Sequence, residues 1–331
     1  FNTVLYTGNG STQSITGVGF QPDWVWIKNR TEDYEHTIFD SVRGVQKFIR
    51  SSTTGAEATN SNSLTAFGTD GFSIGTESAV NDNSDSFVSW NWLASGSTAS
   101  NSNGSITSTV SANTTAGFSI VSYTGTGSAA TVGHGLGAAP EIVIVKRRNN
   151  ADGWQVYVDG LSSVNHYLRL DTTAAEASDS SRFGAAPTAS VFSVGTANGT
   201  NASGDTYIAY CFASIKGYSK IGKYTGNGNA EGPFVYTGFR PAFVFLKQIN
   251  ATDSWYIYDN KANPSNPNSK YLRPNLSAVE GTFTTLDTLS NGFKFRTDDN
   301  DFNGSSDTYL YWAIAEAPFV TAGTKAAGTA R

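Results

Sequence analysis

Four charged residues return in the same order three times along the chain. They are Lys28, Lys146 and Lys247; Asp40, Asp159 and Asp259; Arg50, Arg169 and Arg273; and Glu57, Glu176 and Glu280. Held together, such a set could form one polar sugar pocket per repeat. It could equally brace each repeat, for example through an ion pair between Arg50 and Glu57 across a turn. An enzyme rarely needs one site in triplicate, whereas a repeated fold repeats its own braces, so bracing is the favoured reading. Partly exposed pairs of this kind add only about 0.2–1 kcal/mol each.

Two other groups of residues carry candidate chemistry. "DNDFNG" at 299–304 matches the first half of a calcium loop, with Asp299, Asp301 and Asn303 as oxygen ligands and Gly304 at the sharp turn. The position that should bring a bidentate glutamate is Leu310, and the loops at 81–85 and 198–205 do not keep the pattern. An Asx-rich turn is therefore favoured, with calcium as the one cofactor to test. Tyr34, Trp154, Trp255 and Tyr258 stand near loop-like segments and are the candidates for stacking on a sugar face. Core packing is the competing reading, especially for Trp154 and Trp255, which open equivalent strand-like runs.

Catalysis finds little support. The three histidines, His36, His134 and His166, are far apart, and the single cysteine, Cys211, lies between Tyr210 and Phe212 in an apolar run. No Gly-x-Ser-x-Gly turn occurs, and no pair of carboxylates is set apart for glycoside cleavage. The chain reads as non-enzymatic.

Composition narrows the partners. Over 331 residues, 22 Lys and Arg face 27 Asp and Glu, a formal charge of −5 without charge runs. That lacks the basic footprint of a nucleic-acid binder and the polybasic segment of a membrane-surface protein. No apolar stretch approaches the length of a membrane-spanning helix, and residues 1–20 are too polar for a signal peptide. Methionine is absent even at position 1, which reads as a processed chain or part of a longer one. With 20 Phe, 15 Tyr and 7 Trp, the chain can bury a large core.

The elements that must position these residues form a threefold repeat. "YTGNG" at 6–10 returns as "YTGTG" at 123–127 and "YTGNG" at 224–228, each read as a hairpin turn. A proline and an apolar strand ending in lysine follow: "PDWVWIK" at 22–28, "PEIVIVK" at 140–146 and "PAFVFLK" at 241–247. The units close with "DSFVSWNW" at 85–92, "DTYIAYCF" at 205–212 and "DTYLYWAI" at 307–314. Strand-and-turn patterning throughout predicts an all-β chain of three homologous antiparallel β-sandwich, jelly-roll-like repeats packed together. The repeats span 1–96, 97–216 and 217–331. The second has a Ser/Thr/Asn-rich lead-in at 97–116, in which "SITSTV" could be an added strand, and the third has an extended tail at 321–331. The lysine strands are apolar on both faces, which predicts that a neighbouring repeat or another chain covers the second face.

Aligned in this way, the blocks resemble a known family. "YTGNG", "GFQPDWVWIK", "TDGFSIG", "GHGLGAAPEIVIVKRR", "YLRLDTTAAEA", "IAYCFA", "GYSKIGKYTGNG", "GPFVYTGFRPAFVFLK" and "AIAEAPF" together are similar to a three-repeat β domain of marine bacteriophage tail-fibre and other virion structural proteins, often found with concanavalin-like lectin domains. The resemblance implies a location on the virion surface, outside the cell, and a role in host attachment. It assigns no catalytic residue. The expected partners are a host cell-surface glycan and other virion subunits, in a homo-oligomer for which a trimer is favoured by analogy with fibre tips. Neither nucleic acid nor membrane insertion is expected. The alternatives are a capsid or appendage decoration protein without a ligand and, behind it, a glycan depolymerase.

Overall fold

Runs of β-branched and aromatic residues between Gly-, Asn- and Ser-rich segments become strands throughout the chain. The computed structural model describes residues 1–318, and the tail expected at 321–331 lies outside the described residues. The helices among the described residues are three single turns at Ser78–Asn81, Asn198–Asn201 and Asn300–Asn303. No described helix is long and apolar enough to cross a membrane.

Three antiparallel sheets share one strand order. Across the first run Asn2–Thr7, Ser86–Trp92, Trp24–Asn29, Thr37–Asp40, Lys47–Arg50 and Ala58–Thr59. The second repeats the order with Phe118–Thr124, Thr206–Phe212, Ile142–Arg147, Gln155–Val158, His166–Arg169 and Ala177–Ser178. The third begins Ser219–Thr225, Thr308–Ala315, Pro241–Gln248, Trp255–Asp259 and Asn268–Leu272. In each unit the closing strand therefore lies between the first strand and the lysine strand. Within the lead-in of the second unit, Ser108–Asn113 is an added strand paired with Phe118–Thr124, and Ala99–Asn101 pairs with it in turn.

A smaller outer layer covers one face of each sheet. It is Gln13–Ile15, Gly71–Ile74 and Leu64–Gly68 in the first unit and Ala130–Gly133 with Val191–Val194 in the second. In the third, the main sheet continues through Gly281–Leu289 and Gly292–Phe295 to Phe234–Tyr236. Alternate side chains of each lysine strand point into this sandwich: Val25 and Ile27, Val143 and Val145, Val244 and Leu246. The intervening ones, Trp24 and Trp26, Ile142 and Ile144, Phe243 and Phe245, meet in a single core shared by all three units. Burial on both faces accounts for the unbroken apolar runs. The second face is covered by the other two units of the same chain. Trp92 is central, with its ring 6.5 Å from Phe118, 5.9 Å from Phe243 and 5.7 Å from Trp312.

Candidate functional site

The "YTG" segments are clamps and not hairpins, because the strand before each pairs with the closing strand of its unit. The hydroxyls of Tyr6, Tyr123 and Tyr224 donate to carbonyls of the single-turn helices at Val80, Thr200 and Phe302, each at 2.7 Å. A Cβ on Gly8, Gly125 or Gly226 would fall on the carbonyl of Asp82, Ala202 or Gly304, so only glycine fits. Each clamp is locked by an asparagine, of which the sequence pattern marked only Asn303, and that one as a metal ligand. Asn81, Asn201 and Asn303 are fully buried, and their amides donate to the outer-layer carbonyls of Gly75 at 2.7 Å, Gly195 at 2.7 Å and Thr297 at 2.8 Å. The signal was present: each stands four residues before Asp85, Asp205 or Asp307 at the start of the closing strand.

This arrangement redefines the calcium loop. Asn303 is the third of the structural asparagines, and its Oδ1 accepts from the Asn227 backbone at 2.8 Å. Asp299 Oδ1 caps the helical turn by accepting from the Asp301 backbone at 2.9 Å, and Asp301 Oδ2 accepts from the Tyr256 hydroxyl at 2.6 Å. The three proposed ligands thus face three different partners. Among the described residues, no three His, Cys, Asp or Glu side chains are gathered to hold a metal.

Several of the recurring charges serve the contacts between units. Arg148 of the second unit makes a bidentate pair with Glu57 of the first at 2.9 and 3.0 Å. Arg30 of the first makes the same pair with Glu280 of the third at 2.7 and 2.9 Å. The expected partner of Glu57, Arg50, is not used; Arg43 takes the second place at 3.3 Å. Burial opposes ionisation of Glu57, but the hydrogen bonds and charges of Arg148 and Arg43 outweigh it and hold the carboxyl below its usual range. At the remaining junction Ile249 occupies the position of Arg30 and Arg148, and Glu176 accepts from Ser162 at 3.0 Å. The backbone contact recurs all the same: the amides of Glu57, Glu176 and Glu280 donate to the carbonyls of Arg148, Ile249 and Arg30.

The aspartates follow the same cycle. Asp40 of the first unit accepts from the Tyr210 hydroxyl of the second at 2.7 Å, and Asp259 of the third accepts from Trp90 Nε1 of the first at 2.9 Å. Asp259 also accepts from Thr3 at 2.5 Å, and its burial pushes its pKa up. Asp159 does not belong to this set. Val158 holds the register position of Asp40 and Asp259, and Asp159 is exposed.

Two of the three lysines reach across the junctions. Lys146 Nζ donates to Thr54 of the first unit at 3.0 Å and to Asp152 at 2.7 Å, and Lys247 Nζ donates to Thr173 of the second unit at 3.3 Å. Lys28 Nζ instead donates to carbonyls of its own loop, Asn29 at 2.6 Å and Glu32 at 3.2 Å. Burial lowers each of the three ammonium pKa values to about 8.

The aromatic candidates are corrected by their depth. Trp154 Nε1 donates to the Arg50 carbonyl and Trp255 Nε1 to the Arg169 carbonyl, both at 2.9 Å, and both indoles are fully buried in the central core. Tyr258 is buried too, its hydroxyl donating to Thr285 Oγ1 at 2.7 Å. Sugar cannot reach these three. Tyr34 alone is half-buried at the surface, donating to Asp82 Oδ2 at 3.0 Å, and it is not gathered with the others.

One acid pair stands apart. The Tyr256 hydroxyl lies 2.6 Å from Asp301 and 3.4 Å from Asp253, and burial with the Asp301 charge pushes Asp253 up to about 7. Tyr256 is buried and joins the two acids, so no open cleft separates them. Two larger hollows open on the described surface. One of about 360 Å³ is lined by residues such as Phe20, Leu93 and Tyr218, the other of about 410 Å³ by residues such as Thr131, Phe183 and Ser193. Neither is lined by an acidic or basic side chain.

The chain matches no curated protein and no solved structure. Residues 1–318 match the family described as Domain of unknown function (DUF7483), and the chain belongs to that family.

Proposed function

We propose that the chain is a non-enzymatic virion surface protein, a tail-fibre or attachment module that binds a host-surface glycan. The reading draws on the resemblance of its sequence blocks to phage structural proteins. The observation that supports its non-enzymatic part is the use of several recurring charges: Glu57 and Glu280 join units, Lys28 bonds its own loop, and no acidic or basic side chain lines the two hollows. A ring closed through one core also suits a particle surface, where resistance to proteases must be achieved here without a disulfide. Assembly as a trimer with other virion subunits belongs to the same proposal.

The test is competition for adsorption. Labelled protein should bind host cells saturably and block phage adsorption as its concentration rises, with no fall in polysaccharide viscosity. Folded protein that neither binds nor blocks would overturn the reading. Release of soluble oligosaccharides would move the assignment to a depolymerase. The second reading, a decoration or structural protein without a ligand, is favoured by one observation: Trp154, Trp255 and Tyr258 all lie inside the core.

A further inference from the structure

The outer layer of the third unit differs from its counterparts at two outward positions. Val235 points inward and pairs with Phe293, as Ile15 pairs with Phe72 and Val132 with Phe192. The residues flanking it on the strand face outward together. In the third unit these are Phe234 and Tyr236 and in the first the exposed Ser14 and Thr16, whereas in the second Thr131 is half-buried and Gly133 is buried against Asn101. Phe234 is 44% exposed and Tyr236 59%, and Tyr236 has the highest exposure of any large hydrophobic side chain described. Exposed single aromatics need no explanation. Two neighbouring ones, on the unit that departs from its own repeats, call for one.

The surroundings specify the ligand. Gly292 on the adjacent strand lies under Phe234, where a Cβ would come within 2.9 Å of the ring, so the ring rests on the sheet. Lys220 Nζ sits 5.3 Å from the Tyr236 ring centroid and donates to the Tyr236 carbonyl at 2.7 Å. It takes part in no ion pair among the described residues. Lys294, paired in register with Phe234, donates to the Gly232 carbonyl at 3.0 Å and pairs with Glu231 at 3.2 Å, a side chain 75% exposed, and such an ion pair is weak. Together the rings offer on the order of 200 Å² of apolar surface. That falls well short of the roughly 800 Å² per partner of a stable protein interface, and it is the size of one or two sugar rings.

We infer that Phe234 and Tyr236 form a stacking platform for an acidic glycan, with Lys220 and Lys294 facing its carboxylates. The inference rests on the attachment reading and names the surface that would carry it. The rings would cover the apolar faces of the sugar while the ammonium groups select a charged polymer over a neutral one.

The experiment compares migration of the full chain through gels containing polygalacturonate or dextran. The double variant Phe234→Ser/Tyr236→Thr installs the side chains of the first unit and should keep the fold, checked by an unchanged melting temperature. Polygalacturonate should retard the unaltered protein and dextran should not. Affinity should fall at least tenfold in the double variant and about threefold in Lys220→Gln, with the retardation weakening in salt. Equal retardation of the double variant would overturn the platform, as would no retardation of the unaltered protein. Retardation by dextran alone would overturn the acidic class, and binding abolished by protease treatment of host cells would point to a protein receptor instead. The two proposals separate cleanly. If the double variant still blocks phage adsorption, the platform fails and the attachment reading stands. If the platform binds polygalacturonate but the protein never blocks adsorption, the reverse holds.

Discussion

Each unit buries an ammonium whose proton is held more weakly than in water. For Lys28, Lys146 and Lys247 the pKa falls from the ordinary 10.5 to about 8, because burial disfavours the charged form more than nearby acids favour it. Below pH 8 both folded and unfolded chains carry these protons, and the folded state bears the full penalty. Between pH 8 and 10.5 the unfolded chain binds more protons than the folded one, so stability rises with pH. Buried tyrosines such as Tyr157 and Tyr311, raised to about 12, act in the opposite sense only above pH 10. The melting temperature should therefore climb by a few degrees from pH 8 to 10, and Lys247→Met should flatten that slope. A flat or falling profile in the unaltered protein would show that the ammonium groups are solvated. The lysines themselves were legible in the sequence, since each ends an apolar run. Their partners were not: they are backbone carbonyls, and no residue type marks a carbonyl.

Among the elements, the lysine strand was the most readable, because continuous apolar runs of this length have few other uses. The junction loops were the least readable. Arg30 finds Glu280, and Arg148 finds Glu57, across most of a unit or more of sequence, and the third copy hides the pattern by placing Ile249 where an arginine would complete it. The apolar substitutions gather at one junction, where Ile249 and Val158 replace an arginine and an aspartate. That junction joins the second and third units, which the chain already links through the short stretch after Phe212. The polar pairs stand where the linking chain is longer, and where the ring closes between first and third units without a direct link. Glu280→Gln should thus cost about 2 kcal/mol by leaving a partly buried guanidinium half-paired. Glu176→Gln, which loses only a surface contact with Ser162, should stay within about 0.5 kcal/mol. Denaturant titration of the two variants decides the matter, and equal effects would remove the distinction between polar and apolar junctions.

At the scale of the whole molecule, the decisive fact is that the largest side chains belong to no single unit. Trp24, Trp26, Trp90 and Trp92 of the first unit are buried against Phe118, Tyr210 and Phe212 of the second and Phe243, Phe245 and Trp312 of the third. Each unit has the length of an independent β-sandwich, yet its inner face would expose a broad apolar surface if the others were removed. Such exposure favours collapse or aggregation over a folded monomer. Residues 1–96 alone should therefore bind a hydrophobic dye and yield quickly to protease. The full chain should unfold in one transition, with tryptophan fluorescence reporting the shared core and far-ultraviolet dichroism reporting the sheets at the same midpoint. Separated midpoints, or a fragment with a sharp transition of its own, would mean that the central core is an interface between finished domains. Coincident midpoints together with a collapsed fragment would mean that the core is the interior of one domain, formed only when the third unit closes on the first.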